Sequence, residues 1–135
     1  MTTSIARMNP VTLPDASMIG YSQISVVPPG PLAFVSGQVT QTRDGTPTPN
    51  SLSEQTALVI DNLTHALKVL DATPHDIAQM RIYVTDLNQD TLEISMTQII
   101  RFLDGAQPSL TGVGVSALAG PDLKIEIEMV VRVTD

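Results

Sequence analysis

The sequence predicts an α+β domain in which two helices cover one face of a mixed β-sheet, with the elements in the order ββαβαββ. Two observations support this prediction. Apolar side chains recur at three- and four-residue spacing over residues 51–70 and 91–103, as an amphipathic helix requires. Apolar and polar side chains alternate over residues 76–85, 110–118 and 123–133, as in strands with one buried face. The chain has 135 residues, so we expect one domain.

The N-terminal part is expected to hold the first two strands. Residues 1–18 show no clear period and predict an irregular lead-in. Residues 21–27 are rich in β-forming side chains. The Pro-Pro-Gly-Pro run at 28–31 predicts a turn, because proline donates no ladder hydrogen bond and glycine accepts positive φ. Residues 32–40 then follow as the second strand of a hairpin, and residues 43–50 as a loop.

Both predicted helices carry signals for their ends. Ser51 and Glu54 fit a capping box, in which each side chain satisfies a free backbone N–H near the other. Pro74 prevents the first helix from continuing, and Gly105 predicts the end of the second.

Two helices cover only one face of a sheet, so the opposite face is expected to be polar. Two interpretations of that face are open. It is either exposed to solvent, or packed around a symmetry axis with its charges paired between subunits. The side chains predicted to lie on it are Arg81, Tyr83, Glu126, Glu128 and Arg132.

Composition and charge argue against several classes of partner. The net charge is −7, whereas a nucleic-acid-binding protein usually carries a basic face. Two Tyr, two Phe and no Trp are too few for a base-stacking platform. No apolar run reaches the roughly 18 residues of a spanning helix, and residues 1–10 lack the apolar core of a secretory signal. We therefore expect a cytoplasmic protein with no nucleic-acid and no membrane partner.

Metal and cofactor motifs are not found either. The chain has no cysteine, which excludes a thiol nucleophile and thiolate zinc ligands. His65 and His75 fall in different predicted elements and do not form a metal-binding pair. Gly112 and Gly114 lack the third glycine of a dinucleotide-binding loop. We predict no metal and no cofactor.

An ordered set of short segments resembles the Rid family, also called YjgF or L-PSP. No single segment is specific, but together they keep the family's order and spacing from about residue 20 to residue 133. The resemblance implies a chorismate-mutase-like fold, in which three subunits join their sheets in a central barrel with a small-molecule cleft at each interface. A homotrimer is therefore expected. The segments lie at 21–23, 34–39, 54–55, 61–63, 82–87, 114–118 and 124–128, together with Pro108.

The resemblance also implies a chemistry, and one residue departs from it. Family deaminases hydrolyse enamines and imines such as 2-aminoacrylate, and hold the substrate carboxylate with an arginine two residues after a proline. Arginine suits this task because its planar guanidinium makes two parallel charge-assisted hydrogen bonds. Here the corresponding sequence is Pro108-Ser109-Leu110, and leucine cannot bind a carboxylate. Ordinary 2-imino-acid deaminase activity is therefore not expected.

Other family site residues are retained, each with a structural alternative. Glu126 matches a glutamate near the family's attacking water, and is otherwise a paired or solvated strand residue. Ser36 and Gly37 match a strand end that lines the family cleft, and are otherwise a simple bend. Tyr21 matches a tyrosine at the cleft mouth, and is otherwise a partly buried strand aromatic. Gly112 and Gly114 share a strand face with Leu110. They either open space for a ligand or, in the favoured interpretation, only permit close strand packing at the interface.

Three functions follow from these residues. The first is a Rid-like hydrolase of a small imine, enamine or similar metabolite, in which binding does not depend on a substrate carboxylate. The alternative is a non-catalytic trimeric module that binds a metabolite. A ribonuclease ranks last because of the acidic charge. Arg81 is a candidate substitute for the family arginine, although an ion pair with Glu126 or Glu128 is the favoured interpretation.

Overall fold

The computed structural model describes residues 4–134. It contains eight regular elements and two short 3₁₀ turns, at Ser17–Ile19 and Pro74–Asp76. Every helix and strand predicted from the sequence is present within a few residues of its expected bounds. The elements are β1 (Ala6–Met8), β2 (Ile24–Val26), β3 (Leu32–Gln38), α1 (Leu52–Val69), β4 (Ile77–Val84), α2 (Gln89–Leu103), β5 (Ser109–Gly114) and β6 (Ile125–Arg132).

The main sheet has four strands in the order β3-β6-β4-β5 and is mixed, as predicted. Strand β6 pairs antiparallel with both β3 and β4, whereas β4 and β5 are parallel. A parallel pair needs a crossover connection, and α2 supplies it. The predicted α+β class with a mixed sheet is therefore confirmed.

The two helices pack on one face of this sheet and enclose a single apolar cluster. Val59 and Leu63 of α1 and Ile99 of α2 are fully buried. They meet the alternate residues of the two central strands, which explains why those strands alternate so regularly. The buried strand residues of this cluster are Ile77, Met80, Ile82, Val84, Ile125, Ile127, Met129 and Val131.

The predicted cap of α1 is half confirmed. The backbone N–H of Glu54 donates to the hydroxyl oxygen of Ser51 at 3.1 Å, as in a capping box. The Glu54 carboxylate, however, accepts from the Ser51 hydroxyl at 3.0 Å. The side chain therefore supports the capping hydroxyl.

The predicted hairpin between residues 21–27 and 32–40 is wrong. Strand β2 pairs antiparallel with β1 in a separate two-stranded sheet, and β3 pairs with β6. The prediction missed β1, because three residues are too few to show a period. The lead-in is thus not wholly irregular, although residues 1–3 lie outside the described part of the chain. Residues 4–27 are called the N-terminal arm below.

Arg132, predicted on the polar face, is not exposed to solvent. The residue is 9% exposed and its neighbour Val131 is fully buried, so the alternation of buried and more exposed residues in β6 ends here. The register between β4 and β6 shifts between Ile77 and Gln79 at the same end of the sheet. Arg132 lines a cavity of about 510 Å³ with Arg7 of the N-terminal arm, which covers this end.

Candidate functional site

A mostly apolar pocket of about 620 Å³ lies between α2, the edge of the main sheet and the N-terminal arm. Three residues predicted for the site, Tyr21, Leu110 and Gly112, line it. In the parallel register, Leu110 is opposite Met80 and Gly112 is opposite Ile82, both of which are buried on the helix face. This pocket, called the α2 pocket below, therefore opens on the helix side of the sheet.

Leu110 and Gly112 shape the floor of the α2 pocket in different ways. The Leu110 side chain packs against the apolar cluster, so it gives the pocket an apolar surface where the family arginine would stand. A Cβ placed on Gly112 would meet no atom within 4 Å. Gly112 thus leaves open space at the pocket, and its role in ligand binding stays a prediction.

The N-terminal arm supplies the opposite wall through Ile19 and Tyr21. The adjacent Ser22 is buried and fastens this wall to the start of β5. Its backbone N–H donates to the carbonyl of Pro108 at 3.2 Å, and its hydroxyl donates to the carbonyl of Gln107 at 2.7 Å. The Gln107 side chain in turn donates to the carbonyl of Ser17 at 3.0 Å. Three hydrogen bonds therefore set the position of Tyr21.

Gly20 lets the arm approach α2, and its replacement by alanine is expected to loosen the arm. Gly20 has φ of +96°, and an added Cβ would overlap Cδ1 of Ile100. The strained backbone and the overlap together are expected to lower the free energy of unfolding by about 2 kcal/mol. Chemical denaturation and amide exchange over residues 16–23 measure this. Gly45→Ala is the control, because Gly45 has φ of +76° but nothing within 4 Å. Equal losses in both variants would contradict the contact with Ile100.

Glu126, Ser36 and Gly37 lie together on the face of the sheet that the helices leave uncovered. Glu126 is opposite Tyr83 in the register, and both alternate with buried residues. The Glu126 side chain lies directly over Gly37, since an added Cβ there would overlap Oε2 and stand 2.6 Å from Cδ. The register between β3 and β6 shifts at this point, between Val35 and Gln38. Gly37 is thus needed for the position of Glu126.

A second polar group lies beside Glu126 on the uncovered face. Arg81 and Glu128 form an ion pair at 3.7 Å, and the Tyr83 hydroxyl donates to the same carboxylate oxygen of Glu128. This hydrogen bond, with the negative charges nearby, raises the pKa of Tyr83. A cavity of about 330 Å³ next to this group is lined in part by Ser36, Arg81 and Glu128. The predicted pairing of Arg81 with a strand glutamate is confirmed for Glu128.

The structure therefore divides the predicted site between the two faces of the sheet. Tyr21, Leu110 and Gly112 meet at the α2 pocket, while Ser36, Gly37 and Glu126 meet on the uncovered face. Strands β4 and β6 separate the two groups within one chain. A ligand in the α2 pocket does not reach Glu126 of the same subunit.

No lysine or arginine lines the α2 pocket, so its described residues offer no cation to a carboxylate. Sequence reasoning missed the residues that α2 contributes, including Gln89, Leu92, Glu93 and Met96. Their three- and four-residue spacing marks one helix face, but the same spacing is usual for a helix that packs on a core. Of the two glycines of β5, only Gly112 lies over open space, because a Cβ on Gly114 would stand 3.1 Å from Leu87.

Within residues 4–134, no helix combines the length and the apolar character needed to cross a membrane. No group of three or more His, Cys, Asp or Glu side chains in the same range is arranged to hold a metal ion.

The fold and the divided site define a small α+β protein with a pocket large enough for a metabolite. Residues 13–133 match the family model described as Endoribonuclease L-PSP. The chain is 37% identical over 98 residues to the RutC family protein YjgH of Escherichia coli (strain K12), which covers 73% of this chain and 74% of that relative. It is 32% identical over 113 residues to the mitochondrial protein mmf2 of Schizosaccharomyces pombe. This match covers 82% of this chain and 85% of that relative.

A solved structure agrees over almost the whole chain. YyfB of Yersinia pestis, described as a protein of unknown function of the conserved Rid protein family, superposes with a TM-score of 0.89 at 32% identity, covering 96% of this chain and 99% of that one. The chain belongs to the Rid family, whose members are also called YjgF or L-PSP proteins. Family membership supports a role in processing small molecules.

Proposed function

We propose that the protein hydrolyses small, reactive imines or enamines as a homotrimer, with each active site built from two subunits. The division of the predicted site between the two sheet faces carries this proposal. Leu110 and Gly112 of one copy would form the binding half, and Glu126 of a neighbouring copy the reacting half. Self-association supplies what one subunit lacks, because the sheet keeps Glu126 away from its own α2 pocket.

The uncovered face has features that favour self-association. Phe34 of β3 is 77% exposed, although large aromatic side chains are usually among the most buried. It lies next to the ion pair of Arg81 and Glu128, and all three residues line the same cavity. An exposed aromatic residue with a polar surround is typical of a protein interface. A second copy of this chain is the partner we propose for it.

The proposed reaction needs one positioned base and a pocket. The Glu126 carboxylate removes a proton from a water molecule as the water oxygen attacks the carbon of the C=N bond. The proton taken by Glu126 then passes to the substrate nitrogen, which gives a carbinolamine. The proton of the new hydroxyl passes through Glu126 to the nitrogen as the carbon–nitrogen bond breaks. Ammonia leaves, the carbonyl product forms, and the Glu126 carboxylate is restored. Water is consumed and no oxidant or metal takes part.

Leu110 changes which substrates we expect. An imine with a carboxylate next to the reacting carbon would find no charge-assisted hydrogen bond for that carboxylate, since no cation lines the α2 pocket and Arg81 is paired with Glu128. Substrates with an apolar or uncharged substituent fit the pocket better. The substrate class proposed here is therefore distinct from that of the family deaminases.

A second function, metabolite binding without catalysis, is favoured by the same absence of a cation from the α2 pocket. A ribonuclease, which the description of the family model suggests, is opposed by the net charge of −7. A cytoplasmic location and the lack of a nucleic-acid partner stay predictions.

The test compares imine hydrolysis by the wild type, Glu126→Gln, Glu128→Gln and Leu110→Arg. The imines are generated by an amino-acid or amine oxidase, and their loss is timed. We expect turnover of imines without a carboxylate, a fall of about 100-fold in Glu126→Gln, and a smaller change in Glu128→Gln. Leu110→Arg is expected to gain activity on 2-imino acids.

Each outcome has a separate meaning. Equal activity in the wild type and Glu126→Gln would contradict the role of Glu126. If light scattering shows a trimer but no imine is turned over, the result would support the non-catalytic metabolite-binding function instead. If the wild type sediments as a monomer at the assay concentration and is fully active, a site shared between subunits is excluded.

A further inference from the structure

The α2 pocket is lined by a negatively charged side chain and by no positively charged one. Among its lining residues, the only one that is charged at neutral pH is Glu93, in the second turn of α2. None of the seven Lys and Arg residues lines it. Any selection by charge in this pocket therefore comes from one carboxylate.

The Glu93 side chain is exposed and reachable by a ligand, and it also borders a second cavity, which Arg101 helps to line. Within residues 4–134, Arg81 and Glu128 form an ion pair, and no side chain donates to the Glu93 carboxylate. Its backbone carbonyl accepts from the Thr97 hydroxyl at 2.8 Å, which is a contact within the helix. Gln89 lies one turn earlier, so its amide shares the same face of α2 and also lines the pocket.

The walls strengthen the effect of this carboxylate. The pocket surface is formed largely by apolar side chains, and apolar walls focus the field of a charge at the mouth of a cleft. The net charge of −7 adds to the repulsion of anions. The apolar wall residues are Ile19, Ile82, Val84, Leu87, Leu92, Met96, Leu110 and Val113.

We propose that the α2 pocket selects small organic cations, with an apolar body in the pocket and a protonated nitrogen at Glu93, and that it excludes carboxylates. This inference rests on the proposed function and names the substrate class of the same pocket. A protonated imine is an organic cation and the form most readily attacked by water. Glu93 would hold that form while the base on the neighbouring copy acts on the water. Glu93 is a binding residue in this proposal.

The experiment uses three probes that share one body and differ in charge. They are 3-phenylpropylamine, 3-phenylpropanol and 3-phenylpropanoate, and binding to the full-length protein is measured by calorimetry at pH 7 and low salt. We expect affinity to fall in the order amine, alcohol, carboxylate. Glu93→Gln is expected to weaken the affinity for the amine about fivefold, which is within the range of an exposed ion pair. The affinity for the alcohol is expected to stay unchanged. High salt is expected to reduce the amine preference.

A matched variant controls for total charge. Asp61→Asn removes one negative charge from an exposed position on α1 outside the pocket, and is expected to leave all three affinities unchanged. Thermal melts of both variants check that the fold is kept. A weaker amine affinity in Glu93→Gln but not in Asp61→Asn supports the proposal.

Failure of this inference is distinct from failure of the proposed function. Equal or tighter binding of the carboxylate by the wild type, or an unchanged amine affinity in Glu93→Gln, would overturn the charge selection. So would the absence of binding by all three probes. These results do not depend on turnover, so an amine-selective pocket without imine hydrolysis leaves this inference standing and removes the hydrolase.

Discussion

Replacement of Gln55 by methionine is expected to lower the free energy of unfolding by about 3 kcal/mol, because three backbone groups lose their partner at about 1 kcal/mol each. Gln55 is fully buried in α1. Its amide nitrogen donates to the carbonyls of Pro49 and Asp122 at 2.9 and 2.8 Å. Its amide oxygen accepts from the N–H of Lys124 at 2.9 Å. One side chain thus joins the start of α1 to the segment that leads into β6.

Chemical denaturation of the Gln55→Met protein measures this loss. Gln98→Met is the matched control, since the Gln98 amide also donates to a backbone carbonyl, that of Ser53 at 2.8 Å, but at the exposed surface. Water replaces that bond, so the control is expected to change stability by no more than about 0.5 kcal/mol. Similar losses in the two variants would show that burial at Gln55 is not the reason for its effect.

Gly37→Ala is expected to reduce imine hydrolysis about 100-fold, as much as Glu126→Gln, because the added methyl group must displace the carboxylate. A Cβ at this position would stand 2.6 Å from Cδ and 2.9 Å from Cγ of Glu126, which is closer than any real contact. Steady-state kinetics of the purified variant measures the loss. Stability is expected to change much less, because Glu126 is only partly buried and can turn away.

Gly112→Ala provides the stability control for this change. It is the same substitution in another strand, and its Cβ would meet nothing within 4 Å. Both variants are expected to melt near the wild type, so that the kinetic loss in Gly37→Ala is assigned to Glu126. Full activity in Gly37→Ala would mean that the carboxylate position is unimportant, and would remove Glu126 from the reaction.

Local signals in the sequence were enough to predict most of the fold. Apolar spacing, the Ser51 cap and strict alternation each depend on neighbouring residues, and these elements lie where they were expected. The pairing of strands depends on distant residues. Residues 24–26 and 32–38 are close in sequence and joined by a turn-like run, yet the first pairs with Ala6–Met8. A three-residue strand leaves no period to detect.

The candidate site was only partly predictable, because it too depends on which distant residues pack together. The family resemblance drew attention to Leu110, and Gly112 was noted on the same strand face, with close packing as its favoured interpretation. Both residues line a pocket. The alternation of β6 already predicted Glu126 on the polar face. That Leu110 and Gly112 lie on the helix face follows from the register between β4 and β5, which the sequence does not display. Glu93 was missed, because an acidic residue on a helix looks the same whether it borders water or a pocket.

The way the N-terminal arm is attached has a consequence for the strength of binding. The arm carries Ile19 and Tyr21, continues into the Pro-Pro-Gly-Pro run at 28–31, and is held to the start of β5 by the hydrogen bonds of Ser22. Any ligand that touches both Tyr21 and Leu110 binds only the docked form of the arm. Part of its binding energy is therefore spent on holding the arm in place, and by mass action the bound ligand protects the arm from proteolysis in return.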